Sequence, residues 1–341
     1  MRFAFTSDQV AFREAAHDLL AKECPPEVVR AAWPDGADAL GARKGEGARA
    51  AEDRSWGALA AMGVLGIAVP DSHDGLGMGP LDWVLLAEET GYAALPRPFV
   101  ETALVAAPLL AADGGHDDLV ARIVAGEALV GVRALLGFVP WGLEAEVHLD
   151  VLRRRTWEAR LIDARLETLD TVDASRHLAN VRSFAGVGGL GDADAAEAAF
   201  DRGALATAAQ LVGLGRRMVD LTVAYTSERT QFGVPIGSFQ AVKHHLADAA
   251  KGLRFAAPAV YGAAWSLATD QPTAGRDVSM AKALASDAAQ AAGRAALQCH
   301  GAIGYTVEAD LHLYLKRAEA LARAWGGASW HRRRVGHALG L

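Results

Sequence analysis

Residues 225–243, YTSERTQFGVPIGSFQAVK, join two long helical patterns and are too polar and too glycine-rich to continue either of them. Upstream, Leu211, Leu214, Met218, Leu221 and Tyr225 recur at three- and four-residue steps, the period of a helix that buries one face. Gly233, Pro235 and Gly237 break that pattern, and Phe239, Val242, His245 and Leu246 begin another helix. On composition alone the stretch is a helix–turn–helix corner with Arg229 as a solvated surface charge. Small residues at close intervals before the corner suit tight helix crossing. Residues 248–268 and 279–297 add two further helical patterns, so the C-terminal part is expected to be an alanine-rich four-helix bundle.

The chain has 341 residues, enough for two or three domains with an ample core. Hydrophobic residues make up 51%, much of it alanine, and aromatics only 7%, which favours closely packed helices. A formal charge of −7 and a pI near 5.9 argue against nucleic acid as a partner. The run Arg332, Arg333, Arg334 is too short to reverse that and is read as a helix-end cap. Cys24 and Cys299 suit a reducing compartment and offer no metal-ligand spacing. No apolar stretch approaches the roughly 20 residues of a membrane span, and the N-terminus lacks a signal-peptide layout, so a cytoplasmic location is expected.

Toward the N-terminus, Thr6, Ser7 and Asp8 read as a helix cap, and residues 35–52 as a loop. Trp56, Leu59 and Met62 form a short helix ending at Gly63. A turn through Pro70, Gly75, Gly77 and Gly79 leads into a helix from Pro80. That glycine-rich turn lacks the lysine and the preceding strand of a nucleotide P-loop. His73 and Glu89 are read as structural or solvated. Between residues 126 and 185 the period shifts to two, with short strands near residues 128–132, 147–151, 157–162 and 178–181.

Taken together these motifs resemble the acyl-CoA dehydrogenase flavoproteins. R-T-Q-F-G followed by G-x-F-Q, the loop G-x-x-G-x-x-V-P ending in glycines, the L-x-x-E-E-x-G helix and QCHGAIG (residues 298–304) carry the likeness. The resemblance implies a mainly α fold: an N-terminal helical domain (1–125), a shortened middle β-domain (126–190) and a C-terminal four-helix bundle (191–341). It implies FAD held across a subunit interface. Arg229 would sit on the pyrophosphate, where a guanidinium offers a rigid fork of donors to phosphate oxygens. Gln231, Phe232, Phe239 and Gln240 would bed the adenosine half. Gln298, Gly301 and Ala302 would close over the pyrophosphate, with Ala302 where the family has a second glycine. Acyl-CoA as substrate and an electron-transfer flavoprotein as electron acceptor follow from the same likeness.

Two departures stand out. The family's T-E-P-x-x-G-S-D and W-I-T-N segments, which hold the flavin ring, are replaced by GFVPWGLEAEVHLDVL and DASRHLANV. The family's base is a glutamate placed just before a glycine after the second motif, or early in the long helix after an F-D pair. Those positions hold Trp325 and Gly203/Ala204 here, and none can accept a proton. Glu319, Glu308 and Asp201 are nearby acids, each read as a solvated charge. Both losses fit the base-lacking subunit of an actinobacterial heterotetramer of two unequal family members. The alternatives are a self-sufficient homotetramer with a displaced base and a flavin-free scaffold of the same fold.

Overall fold

In the computed structural model, which describes residues 4–33, 46–135, 137–153 and 157–341, helix α1 (Ser7–Glu23) starts at a capping box. Thr6 Oγ1 accepts from the Gln9 N–H at 3.2 Å, and Gln9 Oε1 accepts from the Thr6 N–H at 2.9 Å, so two otherwise orphaned donors satisfy each other's partners. The N-terminal helical domain continues through α2 (Pro26–Ala31), α3 (Glu46–Ala61) and α4 (Pro80–Tyr92). A π-helical stretch (Phe99–Ala106) runs into α5 (Ala107–Asp113), and α6 (Asp117–Val124) follows. The loop expected over residues 35–52 is corrected in part. Residues 46–52 are helical because Ala51 and Glu52 turn inward and are buried; residues 35–45 lie outside the described residues.

A five-stranded sheet forms the small middle domain. Its strands are β1 (Val130–Arg133), β2 (Phe138–Val139), β3 (Val147–Arg153), β4 (Trp157–Thr168) and β5 (Ala179–Gly189), in the order β1-β3-β4-β5-β2. β1 and β3 run parallel; the other pairs are antiparallel, in register Val130↔Val147 and Leu149↔Leu161. The four expected strands are present; β2, two residues long, left no readable alternation.

The C-terminal domain opens with α7 (Ala193–Glu228), then a two-stranded hairpin, β6 (Thr230–Gln231) and β7 (Val234–Pro235). α8 (Gln240–Ala268), α9 (Ala274–His300), α10 (Leu311–Arg323) and α11 (Ala328–Ala338) complete it. α7 and α4 cross at backbone contact. A Cβ on Gly213 would lie 1.9 Å from the Glu88 carbonyl oxygen, and one on Gly91 2.2 Å from that of Gln210. Only glycine permits that approach. Beside the crossing Arg216 pairs with Glu88, which also accepts from Tyr261 Oη at 2.6 Å. Glu89, buried rather than solvated, accepts from Arg216 and meets His17 Nδ1 at 2.9 Å. The basic run does not cap a helix end: it lies inside α11, where Arg332 pairs with Asp287 and Arg334 with Asp201 and Glu197. Among the described residues, no helix is long and apolar enough to cross a membrane.

Candidate functional site

Two exposed motifs are brought together at one end of the bundle. α7 stops at Arg229, whose extended backbone (φ −67°, ψ 117°) turns the chain into the β6–β7 hairpin. The hairpin's two-residue loop is Phe232 (φ +52°) and Gly233 (φ +81°), positive at both positions as a type I′ turn requires. Glycine adopts this freely, whereas phenylalanine is strained there by about 1–2 kcal/mol. The ring it carries is 93% exposed and touches Phe239 edge-on, centroids 6.2 Å apart. Arg229, Gln231, Phe239 and Gln240 are exposed as well. Among the described residues nothing covers the corner. Beside it runs an open groove between Val223 and Thr226 of α7 and Pro235, Lys243 and Leu246.

The second motif follows α9. Gln298, Gly301 and Ala302 are exposed, and Gly301 (φ +65°) ends the helix. Tyr225, three residues before the end of α7, stacks on His300 with ring centroids 4.5 Å apart and planes 9° from parallel. His300 Nδ1 lies 2.9 Å from the Ala296 carbonyl, and burial lowers the imidazole's pKa. A neutral ring donating from Nδ1 fits both facts. The seven predicted contact residues and Ala302 thus form one exposed surface.

The positions of the family's base lie elsewhere, and against each other. Trp325 (φ +54°) is buried at 3% exposure, and a Cβ added to Gly203 would sit 2.5 Å from its indole ring. Ala204 is fully buried beside them. Phe200 packs at 6.0 Å from the Trp325 ring and 4.5 Å from Trp157. One indole therefore fills both positions at which the resemblance led a carboxylate to be expected. The turn carrying it is held from two sides. Lys282 Nζ donates to the carbonyls of Leu321, Ala322 and Gly326 at 3.1–3.2 Å. His331 Nε2 meets the Trp325 carbonyl at 2.9 Å, and its Nδ1 meets Ser279 Oγ at 3.1 Å. Burial, aided by the Lys282 charge, holds the His331 imidazole down to about 3. Burial and nearby Arg176 push the Lys282 ammonium down to about 7, while its three carbonyl acceptors favour the charged form.

What remains of the crevice between sheet and helices is about 20 Å³, bounded by Glu101, Val132, Phe138, Arg176 and Trp325, room for roughly one water. Around it the two replacement segments are tied down by buried ion pairs. Arg317 of α10 pairs with Asp173, donates to Ser175 Oγ at 2.7 Å and reaches the Leu95 carbonyl at 2.9 Å. Arg176 faces Glu101 at 3.6 Å, and Glu144 takes His177 and Arg97. These residues fasten the sheet, the N-terminal helices and α10 to one another. Sequence reading missed them because a lone Arg or Asp at helix or loop spacing looks solvated. Lys282 left a faint signal, a lysine inside MAKALAS without an acid four residues away. Asp201 corrects the solvated reading: it is buried and locked to Arg334, and burial raises its carboxyl. Glu319 is half-buried and accepts from Gln290 at 2.9 Å; Glu308 is exposed. Among the described residues no group of acids, histidines and cysteines could hold a metal.

Comparison with known proteins agrees with this architecture. Residues 6–125 match the family model of the acyl-CoA dehydrogenase N-terminal domain, and residues 193–340 that of the C-terminal domain. Acyl-CoA dehydrogenase IpdE2 of Mycolicibacterium smegmatis is 31% identical over 324 residues, spanning 94% of this chain and 95% of that protein. IpdE2 of Mycobacterium tuberculosis is 30% identical over 312 residues, 91% of each. A chain of the ChsE4-ChsE5 complex from Mycobacterium tuberculosis has the same fold, with TM-score 0.83, 24% identity, and 100% and 99% of the two chains covered.

Proposed function

The chain belongs to the acyl-CoA dehydrogenase family, and we propose that it is the subunit of a heteromeric acyl-CoA dehydrogenase that lacks a catalytic base. In this reading it lends its exposed corner to the FAD of a partner subunit. One observation carries the proposal: the Trp325 indole lies on Gly203, so both base positions are occupied by a single ring that cannot accept a proton. When bound, FAD supplies the hydride acceptor for α,β-dehydrogenation of an acyl-CoA thioester. This chain's part is binding. Arg229 neutralises and orients the pyrophosphate. Phe232, Phe239, Gln231 and Gln240 bed the adenosine, and Gln298, Gly301 and Ala302 close the other side. The Tyr225–His300 stack keeps the two halves in register. Electrons pass to an electron-transfer flavoprotein, and the assembly works in the cytoplasm.

A second reading has one observation behind it. Glu101 is a buried carboxylate within the same crevice as Trp325, so a self-sufficient enzyme would use it as a displaced base. Flavin absorbance separates the readings. The half-site subunit is colourless alone and yellow when co-purified with a base-containing family member, and Arg229→Ala lowers the flavin content of that complex. Full flavin content in the lone chain, with turnover abolished by Glu101→Gln, overturns the first reading. A complex that stays colourless favours a flavin-free scaffold.

A further inference from the structure

Away from the motif corner and the Trp325 plug, a partly enclosed cavity of about 150 Å³ opens between α1, the α1–α2 link, α4, α7 and α10. It lies where the N-terminal helices meet the bundle. A cavity of that size holds one benzene-like ring when its walls are apolar. Leu20, Pro25, Pro26 and Ala93 supply apolar wall, and the rings of Tyr92 and Tyr314 extend it. Arg217 of α7 also lines the cavity. At a rise of about 1.5 Å per residue it stands about 18 Å along α7 from Arg229 and about 21 Å from Gly203. The cavity is therefore separate from both surfaces.

Two donors in it lack the partner their chemistry asks for. Arg217 forms no ion pair among the described residues. Its Cζ stands 5.3 Å from the Tyr92 ring centroid and 5.5 Å from that of Tyr314. Burial raises the pKa of both phenols, so neither ring supplies a counter-charge. The nearby carboxylates are already engaged. Glu89 accepts from Arg216 and meets His17 Nδ1, Asp220 accepts from Tyr92 Oη at 3.0 Å, and Asp310 pairs with Arg30. Tyr314 is 1% exposed; its oxygen lies beside the Arg217 guanidinium, and its proton has no acceptor among the described residues. A cation and a buried hydroxyl are costly to leave so placed unless something pairs them. Cys24 lines the same cavity, but burial pushes its thiol up to about 12, so it offers no thiolate for covalent chemistry.

We propose that this cavity binds a small monocarboxylate whose apolar body is about the size of one ring. Arg217 takes the carboxylate through the donors in its guanidinium plane, a fork that matches two oxygens side by side. Tyr314 Oη donates to the same group, and Leu20, Pro25 and Pro26 enclose the apolar body. Such a ligand would tie α1 and the α1–α2 link to α7 and α10. The site needs neither flavin nor a partner subunit, and it stands or falls apart from the half-site function.

The test titrates the full chain with benzoate by calorimetry, beside its neutral isostere benzamide and inorganic phosphate. Benzoate is expected to bind saturably at one site per chain, and at about 100 times its Kd to raise the melting temperature by about 4 °C. Benzamide and phosphate should each bind more weakly by about tenfold or more, the loss of a charge-assisted fork or of the apolar contact. Tyr314→Phe keeps the ring and removes only the hydroxyl, so it should fold as the parent does and weaken benzoate by about threefold or more. Arg217→Met should weaken it by about tenfold or more, with the melting temperature of the unliganded variant verifying its fold. If Arg217→Met does not fold, Tyr314→Phe and the benzamide comparison decide. No saturable benzoate binding overturns the proposal. So does equal affinity for benzamide or phosphate, or benzoate binding that Tyr314→Phe and any folded Arg217→Met retain in full.

Discussion

Replacing Trp325 by glycine tests whether the indole is a structural plug. The side chain is 3% exposed and packs on Gly203 and Phe200. Removing a buried Trp or Phe to alanine costs about 3–5 kcal/mol in transfer and cavity terms. Against that, Trp325 sits at φ +54°, and relief of the left-handed strain returns about 1–2 kcal/mol when glycine takes the position. The net expectation is a loss of about 1–4 kcal/mol, read from the urea midpoint at unchanged m-value. A second readout follows from the geometry. The vacated space is apolar and indole-shaped, and such cavities bind matching ligands, so millimolar indole should raise the melting temperature of Trp325→Gly and leave the parent unchanged. A loss below about 1 kcal/mol, with no response to indole, refutes the packing argument and reopens the crevice as a site for chemistry. Trp325→Glu sharpens the point. It restores the family's carboxylate type but buries it against the ring of Phe200, so it should destabilise the chain and add no dehydrogenase activity to that which the wild-type chain shows with its partner subunit and acyl-CoA.

Three further outcomes are expected. His331 has its folded pKa depressed from 6.5 to about 3, so its neutral form is the one the fold favours. The stability it contributes is complete above pH 6.5 and is lost as pH falls from there toward 3, about 2 kcal/mol by pH 5; His331→Gln should flatten the pH dependence of the unfolding free energy in that window. Arg317→Met strips Asp173 of its buried partner and should cost about 3–5 kcal/mol, with limited proteolysis cutting the middle domain before the bundle; equal protection of both would contradict the clasp. Phe232→Ala, at a ring 93% exposed, should leave the stability of the lone chain within about 0.5 kcal/mol yet lower flavin retention in the heteromeric complex, measured by absorbance after gel filtration.

How much of this could be read in the chain depends on the kind of interaction. The helices at Leu211–Tyr225 and in the bundle announced themselves because burial of one face imposes a period, and the β6–β7 corner because Gly233 and Pro235 interrupt it. The exposed motif residues were singled out differently: by the rules of burial Arg229 and Gln298 are ordinary solvated side chains, and only the wording R-T-Q-F-G and QCHGAIG, as a family resemblance, marked them. Trp325 and Gly203 were legible only as absences of a carboxylate. They lie 122 positions apart, and no local pattern says that the ring of one fills the space left by the other's missing side chain. The same holds for Arg317 with Asp173 and for Lys282 under the α10–α11 turn. Each looks like an ordinary helix-surface or loop charge until the fold removes water from around it. A buried ion pair is a poor source of net stability but a severe penalty when half of it is removed, which suits residues that fix three domains in one arrangement. The crevice of this chain is closed by such pairs and by one strained tryptophan, while its strained phenylalanine stands in the open. In the first case the surrounding packing compensates the strain; in the second the β6–β7 pairing that the turn closes holds it, and the ring is left free for contact from outside.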